Sequence, residues 1–155
     1  MLDYLTMPLL LSVGACIVAA GIGGAFPPDH WYEGLKKPRW NPPNWVFPVA
    51  WTVFYAAIGR AGWLLMVADG PFTLLSLTAW WFQMCLNALF SPVFFGSKNL
   101  RAAELVAWAL AAAAITSAAL AFLVSTEAGV LMCLYSCWTI FAASLATSVR
   151  HRNSE

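Results

Sequence analysis

Apolar residues run through this chain in long blocks, and the places where they stop are few and short. Breaks fall at Pro27-Pro28-Asp29, Asp69-Gly70-Pro71, Gly96-Ser97-Lys98-Asn99 and Ser125-Thr126-Glu127, each built from residues that end helices or make turns. The uninterrupted stretches between them predict five helices near residues 4–26, 44–68, 72–96, 101–124 and 128–149, with a lid loop over 27–43. At a rise of about 1.5 Å per residue each helix is about 33 to 38 Å long, enough to cross the hydrocarbon core of a bilayer with some tilt.

Composition agrees with the pattern. Of 155 residues 61% are hydrophobic and 10% charged, with a mean hydropathy of +0.72, whereas a soluble domain carries about 25% charged residues. The expectation is one all-α membrane domain over residues 1–155, a five transmembrane helix bundle with no room for a separate soluble domain. The first 26 residues are read as a retained helix, because they hold no Lys or Arg and Asp3 stands where a signal peptide is positive. Val13-Gly14-Ala15-Cys16 resembles a lipoprotein cleavage box, but cleavage there would remove most of a helix that the bundle needs.

Five spans place the N-terminus and the loops at 69–71 and 125–127 on one face. The other face carries Lys36, Lys37, Arg39, Lys98, Arg101, Arg150 and Arg152, against no Lys or Arg on the first. The positive-inside rule then predicts an outside N-terminus, with the long loop and the C-terminus cytoplasmic. Four or six helices would scatter these charges across both faces. Arg60 remains within helix 2, about 12 Å from the outer end, a candidate functional residue that can also snorkel toward the surface.

The densest signal is Trp40-Asn41-Pro42-Pro43-Asn44-Trp45-Val46-Phe47-Pro48-Val49-Ala50-Trp51, with three tryptophans and three prolines where a helix begins and Lys36-Lys37-Pro38-Arg39 just before it. It reads as a structured lid between a charged membrane surface and the lipid, since indole favours bilayer edges and ligand pockets and proline stops helices. The basic residues satisfy the charge rule, contact lipid phosphates, or meet ligand carboxylates.

On helix 3, Gln83, Asn87, Phe90 and Phe94 recur at helical spacing and share one stripe. A buried amide needs a partner, so Asn87 either bonds a neighbouring helix or offers its polar groups to a ligand. Helix 5 offers Tyr135, Trp138 and Ala142 at spacings of three and four, with Ala142 leaving room. Trp51, Asn87 and Trp138 lie about 10, 14 and 17 Å below the same ends of their helices, so they can share a cavity. Aromatic walls with one or two amides suit a large, flat, mostly apolar ligand; packing or interface anchoring is the alternative for each ring. Small residues at contact spacing, Cys16, Ala20 and Gly24 or Ala107, Ala111, Ala114 and Ala118, serve the bundle or a homodimer.

Other chemistries find no support in the sequence. Cys16, Cys85, Cys133 and Cys137 sit in apolar segments as small hydrophobes. His30 and His151 have no ligand partners at metal spacing, so no metal site is expected, although His30, beside Trp31 and Tyr32, can approach a haem-like ligand. There is no phosphate loop or nucleophile elbow, and no nucleic-acid partner or required cofactor is expected.

These residues resemble the translocator protein family, also called tryptophan-rich sensory proteins, TspO/MBR or peripheral benzodiazepine receptors. The likeness covers Trp31-Tyr32, Leu35, Lys37-Pro38, Trp40, Pro42-Pro43, Trp51, Gln83, Asn87, Pro92, Phe94-Phe95-Gly96, Tyr135 and Trp138. The resemblance implies a five-helix bundle, commonly a homodimer, whose pocket under the first loop binds porphyrins such as protoporphyrin IX and haem, benzodiazepine- and isoquinoline-type drugs, and sterols in animal members. Carried onto this chain, it implies a pocket of Tyr32, Pro42, Trp51, Asn87, Phe90, Trp138 and Ala142, and a receptor or sensor acting on tetrapyrrole metabolism or stress responses. It also implies two alternatives, a light- and oxygen-dependent porphyrin-degrading enzyme with Trp51 and Trp138 as redox participants, and a porphyrin or sterol transporter. The sequence departs from the family at Leu134, where proline is usual and a straighter helix 5 is expected, and at Arg60. Residues 145–150 lack the tyrosine of the proposed sterol motif, which favours a bacterial tetrapyrrole sensor.

Overall fold

The computed structural model describes residues 2–153, with side chains from Leu5 onward; Met1, Ser154 and Glu155, the ends of the expected 1–155 domain, lie outside the described residues. The elements are α1 (Leu2–Ala25), a short α2 (His30–Gly34), α3 (Val46–Val67), α4 (Thr73–Ser91) continued by a π-helical turn (Pro92–Gly96), α5 (Leu100–Phe122) and α6 (Thr126–Arg152). Five of these are long and apolar enough to cross a membrane, as the spacing of breaks predicts. α6 runs unbroken for 27 residues, in keeping with Leu134 in place of a proline.

Caps explain where helices begin. Asn99 accepts from the Ala102 amide at 3.0 Å, Ser125 from Ala128 at 3.3 Å and Asp29 from Tyr32 at 3.2 Å, each satisfying an amide that has no partner within its own helix. The last of these nucleates α2, a helix inside the expected loop 27–43. Five residues are too few to show a period, so α2 owes its existence to Asp29 and to the docking of Trp31 and Tyr32 onto Phe94 and Phe95.

α4 changes character at Pro92. Proline cannot donate to the preceding turn and its ring crowds the carbonyl four residues back, and the helix widens to a π turn closed by Ser97 N–H to Pro92 O at 2.9 Å. That turn presents Phe94 and Phe95 to the lid, with Tyr32 ring centroids 6.1 and 5.4 Å away.

α3 packs against α1 and α6, α5 joins α6 to α4, and α4 returns to α1, closing a ring of five helices. Between lipid-soluble helices burial from water supplies little, so close packing and interhelical bonds hold the ring. Ala107, Ala111, Ala114 and Ala118 are buried inside it, so that stripe serves the bundle; on α1 Cys16 is buried while Ala20 and Gly24 are exposed. Gly62 admits the indole of Trp80, for a β-carbon there would stand 2.5 Å from the ring. Trp80 is fully buried and donates to Ile58 O at 3.1 Å.

The lid, the 97–99 turn and the C-terminal end meet on one face. Lys98 pairs with Asp29 at 2.7 Å, and the Lys36 amide donates to Asn153 Oδ1 at 3.0 Å, with Asn153 Nδ2 returning to Lys36 O. Near the opposite face Arg60 forms a two-pronged pair with Glu127 at 2.8 and 3.3 Å, its guanidinium 4.7 Å from the Trp63 ring centre. Both members are half-exposed, so the pair adds little stability. It shows how the intramembrane Arg60 is accommodated, reaching outward to the first turn of α6.

Candidate ligand-binding site

Under the lid lies a cavity of about 630 Å³, within the range that takes a drug-sized or larger ligand. Tyr32, Trp51, Asn87, Phe90, Trp138 and Ala142 all line it, so the depth arithmetic that sets Trp51, Asn87 and Trp138 at one level holds in three dimensions. Pro42 is not among the lining residues; Asn41 occupies that part of the wall. The reason is local. Two successive turns, Asn41 N–H to Pro38 O and Val46 N–H to Pro43 O, carry the chain over the cavity, and Asn41 Nδ2 bonds the Pro42 carbonyl at 2.9 Å.

Nine aromatic residues contribute to the walls, and most of their rings lie at packing distance from neighbouring rings. Trp51 and Trp138 meet edge to face at 6.2 Å and 86°, Trp138 stacks on Phe54 and Phe141 at 5.5 and 5.3 Å, and Trp51 meets Tyr55 at 5.6 Å. Such contacts hold both indoles in place, each adding about 0.5 to 1.5 kcal/mol beyond burial. Trp40 instead packs on Phe141 and is half-exposed, and Trp45 is 67% exposed. The three tryptophans of the lid segment are thus unequal, and Trp51 alone faces the cavity.

Asn87 resolves between its two expected roles. Tyr55 Oη donates to its Oδ1 at 2.7 Å, and its Nδ2 donates to Tyr135 Oη at 2.6 Å, so the amide braces α3, α4 and α6 while still lining the cavity. Tyr55 is the residue that sequence reasoning passes over. It lies four positions after Trp51, and Phe47 four before, so one helical stripe carries all three into the site. Two other polar atoms near the cavity are buried without a hydrogen-bond partner, the indole N–H of Trp138 and Oδ1 of Asn41.

Two of the lid's charges, Lys37 and Asp29, are engaged in fixing its conformation. Lys37 Nζ donates to Tyr32 O at 2.6 Å, ending α2, and sits 4.1 Å from the centre of the Tyr32 ring. Asp29 is held below the usual carboxylate range by its bond from Lys98 and by the Tyr32 amide. Burial pushes the Tyr32 phenol up, so that ring meets the cavity uncharged. His30 is fully exposed, paired with Glu33 at 3.2 Å and absent from the cavity lining. Among the described residues no three His, Cys, Asp or Glu side chains converge as a metal site would require.

Comparison with known proteins bears on this arrangement. A family profile described as TspO/MBR family matches residues 12–152. The chain is 37% identical over 139 residues to the tryptophan-rich sensory protein of Cereibacter sphaeroides, covering 88% of this chain and 85% of that one. It is 35% identical over 141 residues to protein CrtK of Rhodobacter capsulatus, 90% and 88% of the two chains. With the human translocator protein it shares 33% over 125 residues, 75% and 70%. By profile, by relatives and by its five membrane-crossing helices, the chain belongs to the TspO/MBR family of multi-pass membrane proteins.

Proposed function

We propose that the protein is a membrane receptor and sensor that takes porphyrins, protoporphyrin IX or haem, and benzodiazepine- or isoquinoline-type ligands into the cavity beneath its lid. The observation that carries this reading is the edge-to-face contact of Trp51 with Trp138 in the wall of a cavity of about 630 Å³. Ring faces attract a flat apolar macrocycle, and a few fixed polar groups orient it. Tyr32, Trp51, Phe90 and Trp138 supply the faces, Ala142 the space, and Asn87 acts by fixing Tyr55 and Tyr135. The lid and C-terminus face the cytoplasm in this reading, in line with the seven basic residues on that face. Lid tethers at Lys98–Asp29 and Lys36–Asn153 couple occupancy to the surface a partner meets. Titrating protoporphyrin IX in darkness into protein in detergent tests it: saturable tryptophan quenching with a Soret shift is expected, and unsaturable quenching refutes it.

One observation favours a second reading, an enzyme that degrades porphyrin under light and oxygen. Trp51, Trp138 and Tyr135 form a cluster of oxidisable rings, with Tyr135 6.4 Å from Trp51. An excited porphyrin can take an electron from an adjacent indole and pass it to oxygen, and the indole radical then regains an electron from the porphyrin, so that the porphyrin is oxidised and oxygen reduced. Illumination with the protein should then yield one defined product, whereas equal bleaching with denatured protein leaves only free photosensitisation.

A further inference from the structure

The cavity is thinly walled on its lipid side. A second concavity, about 670 Å³, runs along the outside of the bundle between α1 and α3, lined mainly by Leu5, Leu9, Val13 and Ile17 from one helix and Ala56 and Trp63 from the other, with Arg60, paired to Glu127, toward the Trp63 end. Groove and cavity share three residues, Ala20, Thr52 and Tyr55. Ala20 and Thr52 are exposed, and the Thr52 hydroxyl is satisfied by Pro48 O at 2.8 Å, so the seam presents no unpaired donor to a hydrocarbon. Tyr55 bridges the two spaces, its hydroxyl tied inward to Asn87.

The wall of the cavity contributed by α1 is almost without side chains. It consists of Ala19, Ala20, Gly23 and Gly24, and a β-carbon added at Gly24 would meet nothing within 4 Å. From Leu5 to Ala20 the groove extends about 22 Å at the helical rise, longer than one leaflet of about 15 Å.

We propose that the seam at Ala20 and Thr52 is an open passage from the cavity to the bilayer, and that the site takes ring-headed amphiphiles. The flat head lies under the lid, and one long hydrocarbon tail runs out along the α1–α3 groove. This rests on the cavity reading above and adds the class of ligand. Lipid tails are as apolar as leucine, so a tail gains little by lying in the groove. The seam acts by sparing the tail from confinement. A sealed cavity rejects a tailed molecule; an open one binds it about as well as its tail-free counterpart.

Pheophorbide and pheophytin share one macrocycle and differ in the long phytyl tail, so their displacement of one another from the protein in lipid nanodiscs tests the proposal. Wild type should hold the two within about threefold, and Ala20→Phe should weaken pheophytin about tenfold more than pheophorbide. Thr52→Leu, at an exposed position across the seam, should act in the same direction and guards against misfolding of the first variant. Pheophorbide binding to wild type without pheophytin binding overturns the inference, as does an equal loss of both ligands in both variants. Binding of neither by wild type refutes the cavity reading itself.

Discussion

Removing the Asn87 amide should separate its bracing role from its place in the cavity wall. In Asn87→Leu, Tyr135 Oη loses its donor in a fully buried position, and Tyr55 Oη loses its acceptor beside the cavity. A stranded buried hydroxyl costs about 1 to 3 kcal/mol, and an ordinary hydrogen bond is worth about 0.5 to 1.5 kcal/mol net. Interhelical bonds in membrane proteins average nearer 0.6 kcal/mol, because helices separated within the membrane still find polar partners. The lower end therefore applies, and Asn87→Leu should destabilise by about 1.5 to 3 kcal/mol. Tyr135→Phe keeps the ring on Trp51 and Phe54 and leaves only an amide N–H beside the cavity, at about 1 kcal/mol. The double variant strands nothing on the α6 side. It should be more stable than the summed single losses by about 1 kcal/mol, above the 0.3 to 0.5 kcal/mol at which independent sites add. Unfolding in mixed micelles, titrated with a denaturing detergent and followed by far-ultraviolet circular dichroism, measures all four proteins. Strict additivity would refute the brace.

Other outcomes follow from single features. Gly62→Ala puts a methyl 2.5 Å from the fully buried Trp80 ring, costing about 1 to 3 kcal/mol in thermal unfolding; Gly24→Ala, with nothing within 4 Å, should not destabilise. Gln83 is fully buried and neither amide atom has a hydrogen-bond partner, so Gln83→Met should raise the unfolding midpoint by removing a desolvated polar group worth about 1 to 3 kcal/mol. A lowered midpoint would show that the amide is satisfied in the membrane. A carboxylate held below its ordinary range contributes stability above that range and loses it as pH falls through its lowered value. Limited proteolysis of the lid should thus be constant from about pH 8 to 5 and rise only below about pH 4, and Lys98→Met should raise it at neutral pH.

The span count and helix limits were legible because a bilayer demands long apolar runs and the breaks are made of proline, glycine and charge. Asn87 and the two indoles were legible too, since periodicity and helical rise give depth as well as face. α2 was not, because its five residues depend on one cap and on rings from α4. The π turn after Ser91 hid for a related reason: Pro92 signals a disturbance, but whether a helix kinks, ends or widens is decided by what packs against it. The exchange of Pro42 for Asn41 arises in turn geometry, which composition does not encode. Tyr55 escaped notice because its importance lies in a bond to another helix. Arg60 found its account only in the Glu127 carboxylate, which a linear reading has no reason to bring beside it.

The central claim is that Trp51 and Trp138 form the walls of a porphyrin site, and dark titration of protoporphyrin IX into wild type and into Trp51→Phe/Trp138→Phe tests it most directly. Replacing both indoles removes ring area from the cavity wall, a loss of about 1.5 to 3 kcal/mol or roughly ten- to hundredfold in Kd. With folding verified by circular dichroism, that weakening is the predicted result. An unchanged Kd would contradict the account.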